Sequence, residues 1–357
     1  MPLHNLNEFR KKLISWFENN KRDLPWRRTN DPYPIWVSEV MLQQTQVKKV
    51  IDYYDKFIES FPTVSKLSNA DLKDVLKKWE GMGYYARARN LHKASSIIKD
   101  EFEGRIPDDT DSFRSLPGVG DYITAAVLSR AFHKPLAVVD GNVKRVVARL
   151  FMIGEPVNST KASKLFSSYT SQMIDPEHPG QFNEAMMELG ATICTPQNPG
   201  CLICPVSKFC KSYINKCQSE YPIKSIKKSV PLRHFVVGLI YRDDKFLVVR
   251  RELDSMLGGL WELPGGIFDL NEDIREVCAA RITEITGLKI KVEDKIMLVN
   301  HAYSHFKINI QVFQCLYMDG HVELSNHIEY DWIKLNEIDK HAFHVAHHKI
   351  FQKLKRN

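Results

Sequence analysis

The chain of 357 residues has no long uninterrupted apolar run, no internal repeat and no compositional sign of disorder. The first absence excludes a membrane-spanning helix, which needs about 20 consecutive apolar residues. The second excludes a solenoid. The opening stretch, MPLHNLNEFRKKLISWF, lacks the apolar core of a secretory signal and the acid-poor, serine- and arginine-rich make-up of a transit peptide. Its apolar residues Leu6, Phe9, Leu13, Trp16 and Phe17 follow helical spacing instead, so the segment is expected to be part of the fold. Cysteine is sparse, seven in all, with four in one short run. That distribution argues against a secreted disulfide scaffold and for a reducing compartment, with the cytoplasm the simplest expectation.

What is present divides into two parts. Residues 1–230 carry 33 Lys and Arg against 25 Asp and Glu, whereas residues 231–357 carry 17 against 18. The basic excess lies wholly in the first part, as expected of a surface that meets a polyanion. Residues 6–192 read as helical patterns of about 10 to 16 residues, punctuated by Pro, Gly and Asn. The polar, lysine-bearing stretch Lys211 to Arg233 reads as a connector. Beyond it, HFVVGLIY and KFLVVRRE flank Arg242-Asp243-Asp244 as a hairpin, HFKINIQVFQCLY alternates as a strand, and Asp273 to Thr286 is helical. The expected organisation is a mostly helical domain over 1–212, a connector over 213–232 and an α+β domain over 233–357.

Four cysteines, Cys194, Cys201, Cys204 and Cys210, follow the spacing Cys-x6-Cys-x2-Cys-x5-Cys. Four thiolates in one loop suit an iron-sulfur cluster or one zinc ion. In LPGVGDYITAAVL, Gly118, Val119 and Gly120 form a turn opening into a helix, which presents backbone N–H groups to a phosphate or is simply an interhelical turn. Asp140 stands at the N-cap of the helix begun by Gly141 and Asn142; helix-end N–H groups there favour an ionised carboxylate able to stabilise a developing cation. Glu39, among Trp36, Val37, Val40, Met41 and Leu42, is either solvated or partly desolvated, and desolvation turns a carboxyl into a proton donor at neutral pH. Gln43 and Gln44 follow it as amides able to meet the edges of an opened base pair. Tyr84, in EGMGYYARARN beside Arg87 and Arg89, is either core or an aromatic wedge for a base stack.

These segments, from LPWR (Leu24 to Arg27) through SEVMLQQTQV, GYYARARNLHKA, LPGVGDY, VVDGNVKRV and FNEAMMELGATIC to the cysteine spacing, closely resemble the helix-hairpin-helix DNA glycosylases. Within that superfamily the chain is most similar to the MutY-type adenine glycosylases, densely over residues 20–212. The resemblance implies a base-excision repair enzyme acting as a monomer on duplex DNA with adenine opposite 8-oxoguanine or guanine. It makes Glu39 the acid that protonates the base, Asp140 the carboxylate facing the oxocarbenium-like sugar, and Asn142 the support of Asp140. Trp26, Arg27 and Glu184 are implied to line the adenine pocket, with Gln43, Gln44 and Tyr84 filling the vacated stack. The cysteine spacing matches the family's [4Fe-4S] loop. Tyr122 occupies the position where lyase-active relatives carry a Schiff-base lysine; tyrosine cannot form that adduct, so hydrolysis without strand cleavage is expected.

The segment GGLWELPGGIFDLNEDIREVCAARITEITGL resembles the Nudix box, Gly-x5-Glu-x7-Arg-Glu-U-x-Glu-Glu-x-Gly-U, where U is bulky and aliphatic. Gly266, Glu272, Ile282, Glu284, Gly287 and Leu288 fit, but Ala280, Arg281 and Ile285 replace the expected Arg, Glu and Glu. A magnesium site needs several hard oxygen ligands, so loss of pyrophosphohydrolase activity is expected, and the resemblance to the MutY-type glycosylases implies a lesion-reading domain in its place. By the resemblance, Tyr303, Ser304 and His305 would read 8-oxoguanine. The histidines His341, His344, His347 and His348 are expected on a solvated terminal helix.

Overall fold

The computed structural model describes residues 5–225, 230–303 and 306–356. Two compact units emerge: Met1–Asn69 with Asn90–Lys227, and Ala70–Arg89 with Lys228–Asn357. The helices in chain order are α1 (Leu6–Asn20), α2 (Pro32–Leu42), α3 (Val47–Ser60), α4 (Val64–Ser68), α5 (Leu72–Lys78), α6 (Ala86–Glu101), α7 (Thr110–Arg114), α8 (Asp121–Ala131), α9 (Gly141–Phe151), α10 (Thr160–Met173), α11 (Pro179–Thr192), α12 (Lys211–Ile214), α13 (Ile274–Thr286) and α14 (Val345–Leu354). None of them is long and apolar enough to cross a membrane.

Helix boundaries follow local chemistry. Asp31, Thr63, Asp109, Asp140 and Ser159 each accept a backbone N–H of the helix they precede, satisfying donors that have no intrahelical partner. In the first unit, α9 and α11 supply the middle of the core, with Val143, Val146, Val147 and Leu150 meeting Phe182, Ala185, Met186 and Leu189, and Phe9, Leu13 and Phe17 of α1 closing it. Glycine decides how near α9 and α11 come. A Cβ on Gly190 would lie 2.6 Å from Asn142 Cβ and 3.0 Å from its carbonyl oxygen.

The second unit is a mixed sheet of β1 (Leu232–Arg242), β2 (Lys245–Arg251), β3 (Trp261–Glu262), β4 (Gly265–Ile267), β5 (Lys289–Ala302), β6 (Lys307–Asp319) and β7 (His327–Ile333). The order is β3-β2-β1-β6-β5, with β4 added to β1 and β7 to β2. β1 and β6 run parallel and the remaining pairs antiparallel. The run FVVGLIY is apolar without alternation because β1 is covered on both faces: Val236 and Ile240 pack with α13, Val237 and Leu239 with α14. Gly238 lets α13 close, since a Cβ there would meet Ile282 at 2.3 Å. The expected hairpin turns at Asp243 (φ 57°), and α13 runs from its Asp273 cap to a left-handed Gly287.

One expectation is corrected. His344 and His347 are 5% and 2% exposed, not solvated, because α14 lays Ala346, Ile350 and Phe351 onto the sheet and the two imidazoles share that side.

Candidate active site

Helix α2 is apolar on nearly every side, and Tyr33 together with every residue from Ile35 to Met41 is buried. A helix of that kind belongs in an interior, so Glu39 is carried there too and is 8% exposed. Burial pushes its carboxyl up to about 7, and nearby Glu184 and Asp140 add to the rise. The hydroxyl of Tyr122, donated to Glu39 Oε2 at 2.7 Å, pulls the other way, as does Arg130. Tyr122 is half-buried, its hydroxyl turned inward beside two carboxyls, which holds that hydroxyl well above its ordinary value and keeps it a donor.

Asp140 arrives from another direction. The segment ahead of it is clamped by buried Asn183, whose amide donates to Leu136 O at 2.7 Å and Ser129 Oγ at 2.9 Å while its Oδ1 accepts from Val138 N at 3.1 Å. The chain then turns into α9 with Asp140 as cap, accepting from Val143 N at 2.7 Å and Asn142 Nδ2 at 3.0 Å. The cap was expected to favour the anion. Burial outweighs it: the Asp140 carboxyl sits above its ordinary value, with Val143, Asn142 and the Arg145 charge offsetting part of the rise. Two donors on Asp140 against one on Glu39 still leave the pair in unlike surroundings, the condition for an acid and an anion in one site.

Both carboxyls open on a cavity of about 160 Å³ that also touches Trp26, Arg27, Tyr122, Asn142, Glu184, Met187 and Glu188. Its polar wall is an ion-pair network. Arg27 joins Glu184 and Glu188, each at 3.0 Å; Arg22 forks onto Glu188 at 2.7 and 2.8 Å; and Arg130 reaches Glu184 at 2.5 Å. Glu188, whose side chain is 1% exposed, is held below its ordinary value by these guanidiniums despite its burial. A buried carboxylate so paired is rigid, and removal of a partner leaves an uncompensated charge. Glu188, Arg22 and Arg130 escaped the sequence reading; the four-residue spacing of Glu184 and Glu188 on α11 was the available signal.

Arg145 binds this site to the cysteine loop, donating to Asn142 Oδ1 (2.8 Å), Gly190 O (2.7 Å) and Cys194 O (2.7 Å). Arg149, 2% exposed, donates to Cys194 Sγ at 3.3 Å and to the carbonyls of Thr195, Pro196, Gln218 and Tyr221. Burial pushes the thiols of Cys194, Cys201 and Cys204 up, the last to about 12. No group of three or more ligating side chains among the described residues converges as one metal ion requires.

The remaining candidates lie elsewhere. Gln43 ends α2 and exposed Gln44 takes a left-handed conformation (φ 56°), both off the cavity wall. Gly118 (φ 78°) packs against Asn90, Val119 is buried, and Gly120 caps α8. In the second unit, Tyr84 is left-handed (φ 50°) and 36% exposed, with the Arg87 guanidinium 5.2 Å from its ring centroid. Tyr303 packs on His301 and Phe306, and Ser304 and His305 lie outside the described residues.

Residues 37–171 match the HhH-GPD superfamily of base excision DNA repair proteins, and residues 236–353 match the NUDIX domain. Adenine DNA glycosylase of Rattus norvegicus is 32% identical, over 96% of this chain and 77% of its own. That of Buchnera aphidicola subsp. Baizongia pistaciae (strain Bp) is 32% identical, over 98% and 97% respectively. Among solved structures, a thermostable thymine-DNA glycosylase superposes with a TM-score of 0.54 at 30% identity, covering 59% of this chain and 97% of that one. A trapped endonuclease III–DNA covalent intermediate shares the fold, with a TM-score of 0.51 at 22% identity over 60% and 99%. Matched along nearly its whole length and carrying two carboxyls that face one cavity, the chain belongs to the adenine DNA glycosylases, helix-hairpin-helix enzymes of base-excision repair with a NUDIX domain.

Proposed function

We propose that the chain hydrolyses the N-glycosidic bond of adenine opposite 8-oxoguanine or guanine in duplex DNA, without cleaving the strand. The observation that carries this reading is Glu39, buried, near neutrality and in the same cavity as Asp140. Adenine must leave the stack to reach that cavity. Protonated Glu39 then donates to adenine N7 as the C1′–N9 bond breaks and its electron pair passes to the base. The sugar is left oxocarbenium-like beside Asp140, and water adds at C1′, its proton passing to the Glu39 carboxylate and restoring the acid. Tyr122 supplies no amine for a Schiff base; its hydroxyl is engaged with Glu39. Gly118, Val119 and Gly120, ahead of α8, are the proposed phosphate contact.

The four cysteines, spaced Cys-x6-Cys-x2-Cys-x5-Cys, are read as the ligands of a [4Fe-4S] cluster. Their thiols lie within electrostatic reach of one another, with Arg149 and Arg145 beside Cys194 to offset thiolate charge. Cys194, Cys201, Cys204 and Cys210 would hold the cluster, which supplies a cross-link for the loop and no step of the hydrolysis.

In the NUDIX domain, Arg281 pairs with Glu284 at 2.9 Å and lies over Gly266, so a cation of the chain stands among residues that a metal would need. This supports a domain that reads the partner base through Tyr303, Ser304 and His305 rather than one that hydrolyses nucleotides. The test is single-turnover base release from duplexes with adenine opposite 8-oxoguanine, guanine or thymine. Free adenine, alkali-dependent strand breaks and at least a hundredfold loss in Glu39→Gln are expected from a missing general acid. Near-normal release by Glu39→Gln refutes the assignment.

A further inference from the structure

The second compact unit includes residues 70–89, which are remote in sequence from the rest of it. They carry the turn Gly81–Tyr85 on which Tyr84 stands, and the polar contacts that hold this turn converge on one place. Glu80 Oε1 accepts the backbone N–H of Phe343 at 2.7 Å and lies 2.8 Å from His348 Nε2, while Glu80 Oε2 takes Lys77 Nζ at 2.5 Å. Lys77 also donates to His341 O at 2.9 Å, and the Tyr85 hydroxyl, which receives Gly81 N–H, reaches Phe343 O at 3.3 Å. Both backbone polar groups of fully buried Phe343 therefore bind the turn segment.

The next residue, His344, holds the other element. Its Nδ1 is 3.1 Å from the Tyr303 hydroxyl, and its Nε2 is 2.6 Å from His347 Nδ1. One backbone group fixes every proton in this chain. Leu263 N–H donates to His347 Nε2 at 2.9 Å, so a neutral His347 carries its proton on Nδ1 and donates it to His344 Nε2. A neutral His344 then carries its proton on Nδ1 and donates to Tyr303. Burial holds both imidazoles below their ordinary values, hence neutral. The Tyr303 hydroxyl thus faces inward and tethers its side chain to His344.

We propose that Phe343 and His344 form a joint through which one body carries both the stack-filling turn at Tyr84 and the partner-reading Tyr303, making Glu80 and His344 positioning residues for discrimination of the base opposite adenine. The proposal rests on the lesion-reading role assigned to this domain. The turn and the Tyr303 side chain, fixed to consecutive residues, keep a constant separation, so extrusion proceeds efficiently only where the partner base seats Tyr303.

The test uses the full-length protein and its Glu80→Ala, His344→Leu, His344→Asn and doubly substituted Glu80→Ala/His344→Leu variants. Single-turnover base release is measured opposite 8-oxoguanine and opposite guanine, with 2-aminopurine fluorescence reporting extrusion. Glu80→Ala and His344→Leu are each expected to lower the 8-oxoguanine-to-guanine rate ratio about tenfold, with the rate opposite guanine held within about twofold, and the double variant to lower the ratio no further. His344→Asn, whose amide N–H mimics Nδ1–H, is expected to keep the wild-type ratio. Nitrogen-15 shifts of labelled histidine are expected to show the Nδ1–H tautomer at both His344 and His347. A ratio that survives Glu80→Ala and His344→Leu, equal losses on both duplexes, multiplicative effects in the double variant, or an Nε2–H tautomer at His344 overturns the joint. A wild-type protein that does not discriminate between the duplexes overturns the lesion-reading role itself.

Discussion

Glu39→Gln separates the cost of the catalytic acid from its use. In the folded protein the Glu39 carboxyl titrates near 7, against 4.5 for the unperturbed group, because burial disfavours its charge. A folded-state value raised above the unfolded one means that the folded chain retains a proton the unfolded chain has released. The associated stability is fully present below the unfolded value and is lost as pH rises through the folded value. For a shift of this size the loss between pH 5 and pH 8 is about 2.5 kcal/mol, at 1.36 kcal/mol per unit. Glutamine has nearly the same shape, still accepts the Tyr122 hydroxyl, and never ionises. Glu39→Gln should therefore match the wild type near pH 5 and gain on it steadily toward pH 8, by roughly 5 to 10 °C in melting temperature for a unit of this size. Scanning calorimetry of both proteins across that range, beside the single-turnover rates, is the assay. A stability difference that stays flat with pH, or that grows toward acid, refutes the claim that Glu39 is a buried acid poised near neutrality, whatever the activity of the variant.

Three further perturbations probe the same cavity. Tyr122→Phe removes the donor that favours ionised Glu39; a hydrogen bond to a charged group is worth about 1.5 to 3 kcal/mol, so the alkaline limb of the single-turnover pH profile should move up by about 1 to 2 units, and an unmoved or lowered limb contradicts the bond at 2.7 Å. Asp140→Asn retains a good helix cap, so thermal stability should change by less than about 1 kcal/mol while base release falls at least a hundredfold; proportional loss of both would make Asp140 a cap and nothing more. Gly190→Ala places a methyl 2.6 Å from Asn142 Cβ, and the forced separation of α9 from α11 should cost about 1 to 3 kcal/mol and lower the rate at least tenfold through displaced Asp140, whereas unchanged kinetics would show that the cap moves without consequence.

What the sequence made legible is local. Asp140 and Asp273 each announce a helix start by their own side chain, and each stands where it was expected. Glu39 was half legible: its apolar neighbours left it either solvated or desolvated, and the packing of α2 on nearly every side carries this, its only carboxyl, inward. Glu184 and Arg27, which the resemblance assigns to one pocket, meet 157 positions apart through an ion pair. Nothing local could have added Arg130, whose guanidinium arrives at the same carboxylate from α8.

The misread histidines show where local pattern fails and what would have repaired it. His344, His347 and Phe351 recur at three and four residues, the spacing of one helical face, and Ala346 and Ile350 continue it. Polarity alone led to a solvated face, although an imidazole is costly to bury only when its two nitrogens lack partners. Here each nitrogen of His347 has one, a backbone amide and a second imidazole, and the chain of donors ends on Tyr303. A histidine that shares a helical face with Phe and Ile therefore signals a buried polar relay, and the place to look for its function is the residue at the far end of that relay.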